Sequence, residues 1–286
     1  MKKLVFLFLS MIGLVSAVSS QTLENSTLWK IEGNGLNSPS YLFGTIHITC
    51  DASIEDDVAR ALKNTDQIVM ELDMDDPNMQ SQMMEYMNMA NDQKISKMLS
   101  EEDFAIVDGF VSKNLGVPLT MIDGLKPFMI SASFYPKMLD CPMQSFEMEL
   151  VKIAKEQQEE IYGLETVEEQ MGLFDEISYE DQLADLLKSA KNGLSAEKET
   201  LKQLQDIYKT EDITKMLAMT NDPSNGMIAG YQDQLLINRN KNWIPKIATF
   251  AKEKSTFFAV GAAHLAGDDG VINLLRKAGY KVSAYQ

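Results

Sequence analysis

The chain has 286 residues and 45% apolar content, enough to bury a packed core in one large domain or two small ones. Its 42 acidic residues outnumber 26 basic ones, for a formal net charge of −16. Such a surface repels phosphate backbones and anionic lipid headgroups, so nucleic acid is a poor candidate partner.

Residues 1–20 pass from Lys2 and Lys3 through an apolar run, Leu4 to Val18, to small residues ending at Ser20. This is the layout of a secretory signal peptide cut near Ser20 and Gln21, and the expected location is periplasmic or secreted. The apolar run is shorter than the ~18–20 residues that span a bilayer, so no stable membrane anchor is expected after cleavage. In an oxidising compartment the two cysteines, Cys50 and Cys141, are expected to pair. The rival reading makes His47 and Cys50 a His-x-x-Cys metal-ligand pair.

After this leader, LWKIEG and SYLFGTIH read as strands joined by the turn-rich NGLNSPS. SIEDDVARALKNT follows as a helix with Ser53 as its N-cap, and QIVMELD as a buried strand. The middle of the chain reads as helical near 77–92, 101–114, 126–139, 145–158, 178–191, 196–219 and 230–252, interrupted at Pro118, Pro142, Pro223 and Pro245. One strand, EEIYGLET at 159–166, breaks that run. STFFAVGAAH, DDGVINLLRKAG and YKVSAY then read as strand, helix and strand. The expected fold class is α/β: a central mixed sheet built from N- and C-terminal strand-helix-strand units. A large helical insertion, about 77–158 and 166–252, is expected to form a cap within a single domain over 21–286.

Both histidines of the chain, His47 and His264, stand three residues after a glycine, Gly44 and Gly261, where a strand gives way to a helix. Strand C-termini in open α/β sheets converge on a crevice that holds ligands, and glycine there allows positive φ and close backbone approach. Two neutral imidazoles from separate strands leave room on a divalent cation for a carboxylate and an exchangeable water. Glu71, a charge at the end of an apolar strand, is the candidate third ligand. Burying it alone would be expensive and a cation removes that cost; an edge-strand glutamate facing water is the other reading. Glu165 is a further ligand or a base acting on water, or else an acid complementing the helix N-terminus at TVEEQ. Arg239, with Asn240 beside it and Trp243 one helical turn on, can orient Glu165, bind a substrate carboxylate or oxyanion, or simply stack on the indole. Met79, Met83 and Met87 form a helical stripe that reads as adaptable packing rather than copper ligands. No phosphate-binding glycine loop, Gly-x-Ser-x-Gly elbow or His-Glu-x-x-His helix occurs.

Taken in order, YLFGTIH, IVMELD, GLETVEEQ, INRNKNW and VGAAHLAGDDGVINLLRKAGYKV resemble the TraB/GumN family, which includes the Tiki proteins. The resemblance implies an α/β fold related to erythromycin esterases and the haem-binding ChaN proteins, with a metal-dependent hydrolase centre built from two GxxH motifs and a glutamate. Carried over motif by motif, it implies His47, Glu71 and His264 as ligands of manganese, cobalt or zinc, with Glu165 and Arg239 as catalytic, site-lining groups. Many bacterial relatives have a Gly-x-Asp segment where this chain has CPMQSFEMEL, which leaves Glu147 or Glu149 as candidates for that acid's role. The functional expectation is an exported metal-dependent hydrolase, a peptidase acting on a peptide or protein. The alternative is a periplasmic module that sequesters a peptide or haem without turnover.

Overall fold

The computed structural model describes residues 23–223 and 227–286; the expected signal peptide lies outside them. Gly33, Asn34 and Gly35 take φ angles of 81°, 48° and 80°, reversing the chain between strands β1 (Leu28–Gly33) and β2 (Ser40–Thr45). Four more strands complete a mixed sheet among the described residues: β3 (Gln67–Met70), β4 (Ile161–Gly163), β5 (Thr256–Gly261) and β6 (Tyr280–Ala284). Their order is β4-β3-β5-β2-β1-β6. β1 is antiparallel to both of its neighbours, and every other pairing is parallel.

Two connections decide where the crevice opens. From β2 the chain passes over β5 to reach β3; from β5 it passes the other way, over β2 and β1, to reach β6. Right-handed crossovers running in opposite directions place their helices on opposite faces of the sheet. Accordingly, Val58, Ala61 and Leu62 of the Asp56–Leu62 helix pack with Phe43, Ile68, Met70 and Phe257. On the other face, Ile272 and Leu275 of the Val271–Lys277 helix and Trp243 and Ile247 of the Asn238–Glu253 helix pack with Leu42, Val69, Phe258 and Val260. With both faces covered, β2, β3 and β5 are buried along their whole length, which is why they read as unbroken apolar runs. The adjacent strands β2 and β5 therefore form a switch point, with a crevice outside their C-terminal ends.

Several local expectations are corrected. The strands stop at Thr45, Met70 and Gly261, so the candidate ligands lie just beyond them rather than within them. The first helix starts at Asp56 behind Glu55, because Ser53 gives both its amide (2.9 Å) and its hydroxyl (2.5 Å) to Asp51. The helical span 196–219 breaks into Ser195–Tyr208 and Ile213–Thr220 around Glu211, whose φ is 54°. The span 126–139 breaks into Pro127–Ala132 and Tyr135–Met138, since Pro136 lacks an amide for the preceding turn. Conversely, the Asn238–Glu253 helix continues through Pro245, which lies on its exposed side, where water can serve the carbonyl left unbonded. Neither GxxH glycine takes a positive φ. Close approach is the reason for Gly44: a Cβ there would lie 2.6 Å from Leu265 Cδ1 and 3.0 Å from the Ala262 Cα.

Helices from the middle of the chain build a separate apolar cluster in which Val107, Val111, Ile130, Phe134, Leu183 and Leu186 are central. Its buried Lys126 donates to Asp175 (2.9 Å) and to the Met171 carbonyl (3.1 Å). This layer reaches the strand ends through Gln205, which donates to the Ile48 carbonyl (3.4 Å), and Tyr208, which donates to that of Gly44 (2.9 Å). The methionine stripe packs on Leu72, Val167 and Met171 through Met79, Met83 and Met87, while Met84 stays 62% exposed.

Cys50 and Cys141 form a disulfide, which excludes the His-x-x-Cys ligand pair. Beside it, Thr49 and Gln144 exchange backbone hydrogen bonds of 3.1 and 2.8 Å, and Gln144 Oε1 accepts from the Ala52 amide at 3.1 Å. These contacts clamp the loop after β2 to the start of the Phe146–Gln157 helix. Closing a 91-residue separation removes chain entropy from the unfolded state worth ~4–5 kcal/mol. A Cys50→Ser, Cys141→Ser double variant is expected to lose about 3–5 kcal/mol of unfolding free energy in urea titrations; a loss under 1 kcal/mol would show the clamp to be energetically idle.

Candidate functional site

Four neighbouring parallel strands each deliver one side chain to the crevice. In sheet order these are Glu165 just after β4, Glu71 just after β3, His264 in a 3-10 turn (Ala262–His264) after β5, and His47 just after β2. Arg239 enters from the first turn of the Asn238–Glu253 helix, which is preceded by a π-helical turn at Asp233–Ile237. Such turns interrupt regular helix bonding and recur at functional sites.

Arg239 ties the buried side of the site together. Its Nε donates to both Glu165 oxygens (3.0 and 3.1 Å), and its Nη2 donates to Glu165 Oε2 (2.8 Å) and Glu71 Oε2 (2.7 Å). Its Nη1 donates to the Leu235 carbonyl (3.0 Å) and to His264 Nε2 (3.1 Å). The guanidinium also lies over Trp243, 4.9 Å from the ring centroid. Glu71 has two further donors, the Gly261 amide on Oε1 (2.8 Å) and Gln170 Nε2 on Oε2 (3.0 Å). Burial by itself would raise the Glu71 carboxyl, but the Arg239 charge and these hydrogen bonds hold it well below the usual carboxylate range.

The two histidines sit in opposite environments. His264 is buried, its ring 4.5 Å from that of Trp243, and burial together with the Arg239 charge pushes it down to about 3, so it is neutral at pH 7. Its Nδ1 is 2.6 Å from Asn240 Oδ1. Asn240 Nδ2 donates to the carbonyls of His264 (3.3 Å) and Asp269 (2.9 Å), which only accept, so Oδ1 must face the ring and Nδ1 must carry the proton. His264 Nε2 therefore presents a lone pair. The His47 side chain is 62% exposed, and its Nδ1 donates to Glu147 Oε1 at 2.8 Å. Partial burial opposes its charged form, but the Glu147 hydrogen bond and charge, with Glu71 beyond, outweigh this and raise His47 to about 9. Glu147 also accepts from Thr45 Oγ1 (2.8 Å) and Ser145 Oγ (2.5 Å). Burial pushes its carboxyl up, but the His47 and Ser145 hydrogen bonds prevail and lower it to about 2.

At the centre is the Gly261 α-carbon. A Cβ built there would lie 3.4 Å from Glu71 Oε1, 3.4 Å from His47 Nε2 and 3.5 Å from His264 Cδ2. The two rings thus approach one point from either side, inside the roughly 8 Å that two imidazoles on one ion can span. Among the described residues, no group of three His, Cys, Asp or Glu side chains is arranged to hold a metal ion outright. Glu71 Oε1 lies 3.8 Å from His264 Nε2, whose lone pair is taken by Arg239. The donor types nonetheless suit a divalent transition metal: a neutral imidazole, an ionised carboxylate and a second ring around a space only glycine leaves open.

All five residues singled out in the sequence, His47, Glu71, Glu165, Arg239 and His264, meet at this crevice. Of the two candidates for the missing aspartate, Glu147 faces His47, while Glu149 makes a solvent-exposed pair with Lys152 at 3.4 Å. Asn240 and Gln170 were given no role by the sequence. Their neutral amides carry no pattern, and their partners lie 24 and 99 residues away.

Comparison with known proteins accords with this geometry. The chain is 24% identical to Metalloprotease TIKI2 of Xenopus tropicalis over 331 aligned residues, covering 92% of this chain and 60% of that protein. The chain thus spans well under two thirds of that relative's length. No solved structure matches. The model of the TraB/PrgY/gumN family matches residues 27–284, from the start of the sheet to its last strand, and the chain belongs to that family.

Proposed function

We propose that the chain is an exported metal-dependent hydrolase acting on peptide bonds in a peptide or protein. The observation that carries this reading is the convergence of Glu71 Oε1, His47 Nε2 and the His264 ring on the space beside Gly261. Family membership and the metalloprotease relative support the reaction class. Export is supported by the disulfide, which suits an oxidising compartment, and by the signal-like residues 1–20. Among the described residues no helix is long and apolar enough to cross a membrane.

His47, Glu71 and His264 are the residues that would hold a manganese, cobalt or zinc ion. When bound, such a cation polarises the scissile carbonyl and acidifies water. The chain's own groups supply the rest. Asn240 and Glu147 hold the two rings with their Nε2 atoms turned inward, as outer partners do for ligating histidines. Glu165, its plane fixed by the Arg239 fork, takes the proton of the attacking water and passes it to the leaving amine. Arg239 orients Glu165 and favours negative charge developing on the substrate oxygen. A second reading, binding of a peptide or haem without turnover, is favoured by one observation: the Arg239 bond to His264 Nε2 leaves that ring without a free ligating atom.

Screening a peptide library with and without chelator separates the two. Hydrolysis that stops on chelation and returns with manganese, cobalt or zinc supports the enzyme, and His47→Ala, Glu71→Gln and His264→Ala are each expected to lower it at least about 100-fold. Tight binding that survives Glu165→Ala, with every peptide intact after hours, supports the binding module and sinks the enzyme.

The raised pKa of His47 adds a pH dependence. A ring that titrates near 9 must shed a proton before it can ligate, so metal affinity should climb between pH 6 and pH 9. Glu147→Gln removes the main cause of the shift, and the rise should then centre about one to two units lower, nearer the ordinary value of ~6.5. Calorimetric zinc titrations at several pH values read this directly; an unmoved midpoint would show that Glu147 does not control His47. The same pairing stabilises the fold fully between ~4.5 and ~6.5, is lost as pH rises through about 9 and again as pH falls through about 2, an effect that solvent screens because the ring is 62% exposed.

A further inference from the structure

Each of the three candidate ligands has a holder of its own. Glu71 keeps the Gly261 amide and Gln170, His264 keeps Asn240, and His47 keeps Glu147. Arg239 is different, because it contacts two of these three residues at once, Glu71 through Nη2 and His264 through Nη1, and both oxygens of Glu165 besides. Its Nη1 sits on the His264 atom that any coordinated cation would need, and its charge offsets the two inward carboxylates. A guanidinium cannot act as an acceptor or surrender its charge, so it cannot share that lone pair with a metal.

We propose that Arg239 is a displaceable stand-in cation: it closes His264 Nε2 and balances Glu71 and Glu165 until a divalent cation takes that place. Uptake of the cation would break one bond, Nη1 to His264, while the Nε and Nη2 bonds to Glu165 and the Nη1 bond to the Leu235 carbonyl retain the side chain. The Nη1 hydrogen freed from His264 becomes a donor available at the crevice, while the other stays on the Leu235 carbonyl. Metal loading and presentation of the arginine to substrate become one event. This inference rests on the metal reading of the site, and it assigns Arg239 an effect on that reading opposite to ordinary support: the arginine weakens cation binding.

Two substitutions test it, with zinc alone as the probe. Arg239→Met keeps length and packing over Trp243 but removes the charge; it is expected to bind zinc at least about tenfold more tightly by calorimetry, because like-charge repulsion and competition for His264 both vanish. Its metal-free thermal midpoint should fall, since two inward carboxylates lose their cation, and zinc should restore it. Should that variant fail to fold, Arg239→Lys retains the charge without the fork and should show a smaller gain in the same direction. In the wild-type chain labelled with 15N-histidine, only two rings report. Zinc should shift the His264 Nε2 signal, which before addition is that of an unprotonated nitrogen. Equal or weaker zinc affinity in both variants overturns the proposal while leaving the metal centre standing; zinc bound with His264 Nε2 unmoved overturns the proposal and removes His264 from the ligand set. Absence of zinc binding in all three chains overturns both.

Discussion

The parallel pairing of β2 with β5 is the constraint on which the site depends. It brings residues 41–45 against 257–261, so two turns more than two hundred residues apart leave the sheet side by side. Neither turn could do this alone. Gly44 lets the β2 end approach Ala262 and Leu265 at the start of the opposite turn, and Gly261 leaves the space into which the flanking side chains point. The oppositely directed crossovers then keep the helices off the strand ends and onto the faces, so the convergence stays open to a ligand. One pairing thus sets both the positions of the rings and the access to them.

Electrostatics explains why this arrangement tolerates two carboxylates in a largely enclosed crevice. Glu71 and Glu165 have side chains only 12% and 8% exposed, and an unpaired charge so placed is strongly unfavourable. Their shared partner, Arg239, is itself buried and multiply hydrogen-bonded, which is the condition under which a buried ion pair holds together rather than costing stability. Removing one member leaves the others uncompensated, so the group behaves as a unit.

What could be read from the sequence follows from how each residue signals itself. The two histidines announce themselves by rarity and a shared glycine spacing, Glu71 and Glu165 by interrupting apolar runs, and Arg239 by a tryptophan one turn on. The α/β class and the strands were likewise legible: β2, β3 and β5 because strands covered on both faces must be apolar throughout, β1 and β6 because turn formers bound short runs of strand-forming residues. Strand order was not, since each crossover skips over strands contributed by the far end of the chain. Helix breaks were misplaced where a side-chain bond or a left-handed residue such as Glu211 outweighed local periodicity. Asn240, Gln170 and Tyr208 stayed silent: the tyrosine meets its partner 164 residues away, and nothing in a neutral polar side chain on a helix advertises such a contact.

The contrast between the two rings has a physical origin in what packs against each turn beyond the strand ends. His264 turns back in a 3-10 turn against the Asn238–Glu253 helix, so its ring is buried against Trp243 and its protonation is settled by its surroundings. His47 follows β2 into a loop where its side chain stays 62% exposed, and its orientation rests on Glu147, held nearby by the Thr49–Gln144 bridge and the Cys50–Cys141 bond. Packing on Trp243 adds to the Asn240 bond in restraining the buried ring; the exposed ring relies on Glu147, where solvent competes for the hydrogen bond. The disulfide therefore lies where the fold by itself does least to hold the site. It adds covalent restraint to the one candidate ligand that packing leaves free to turn.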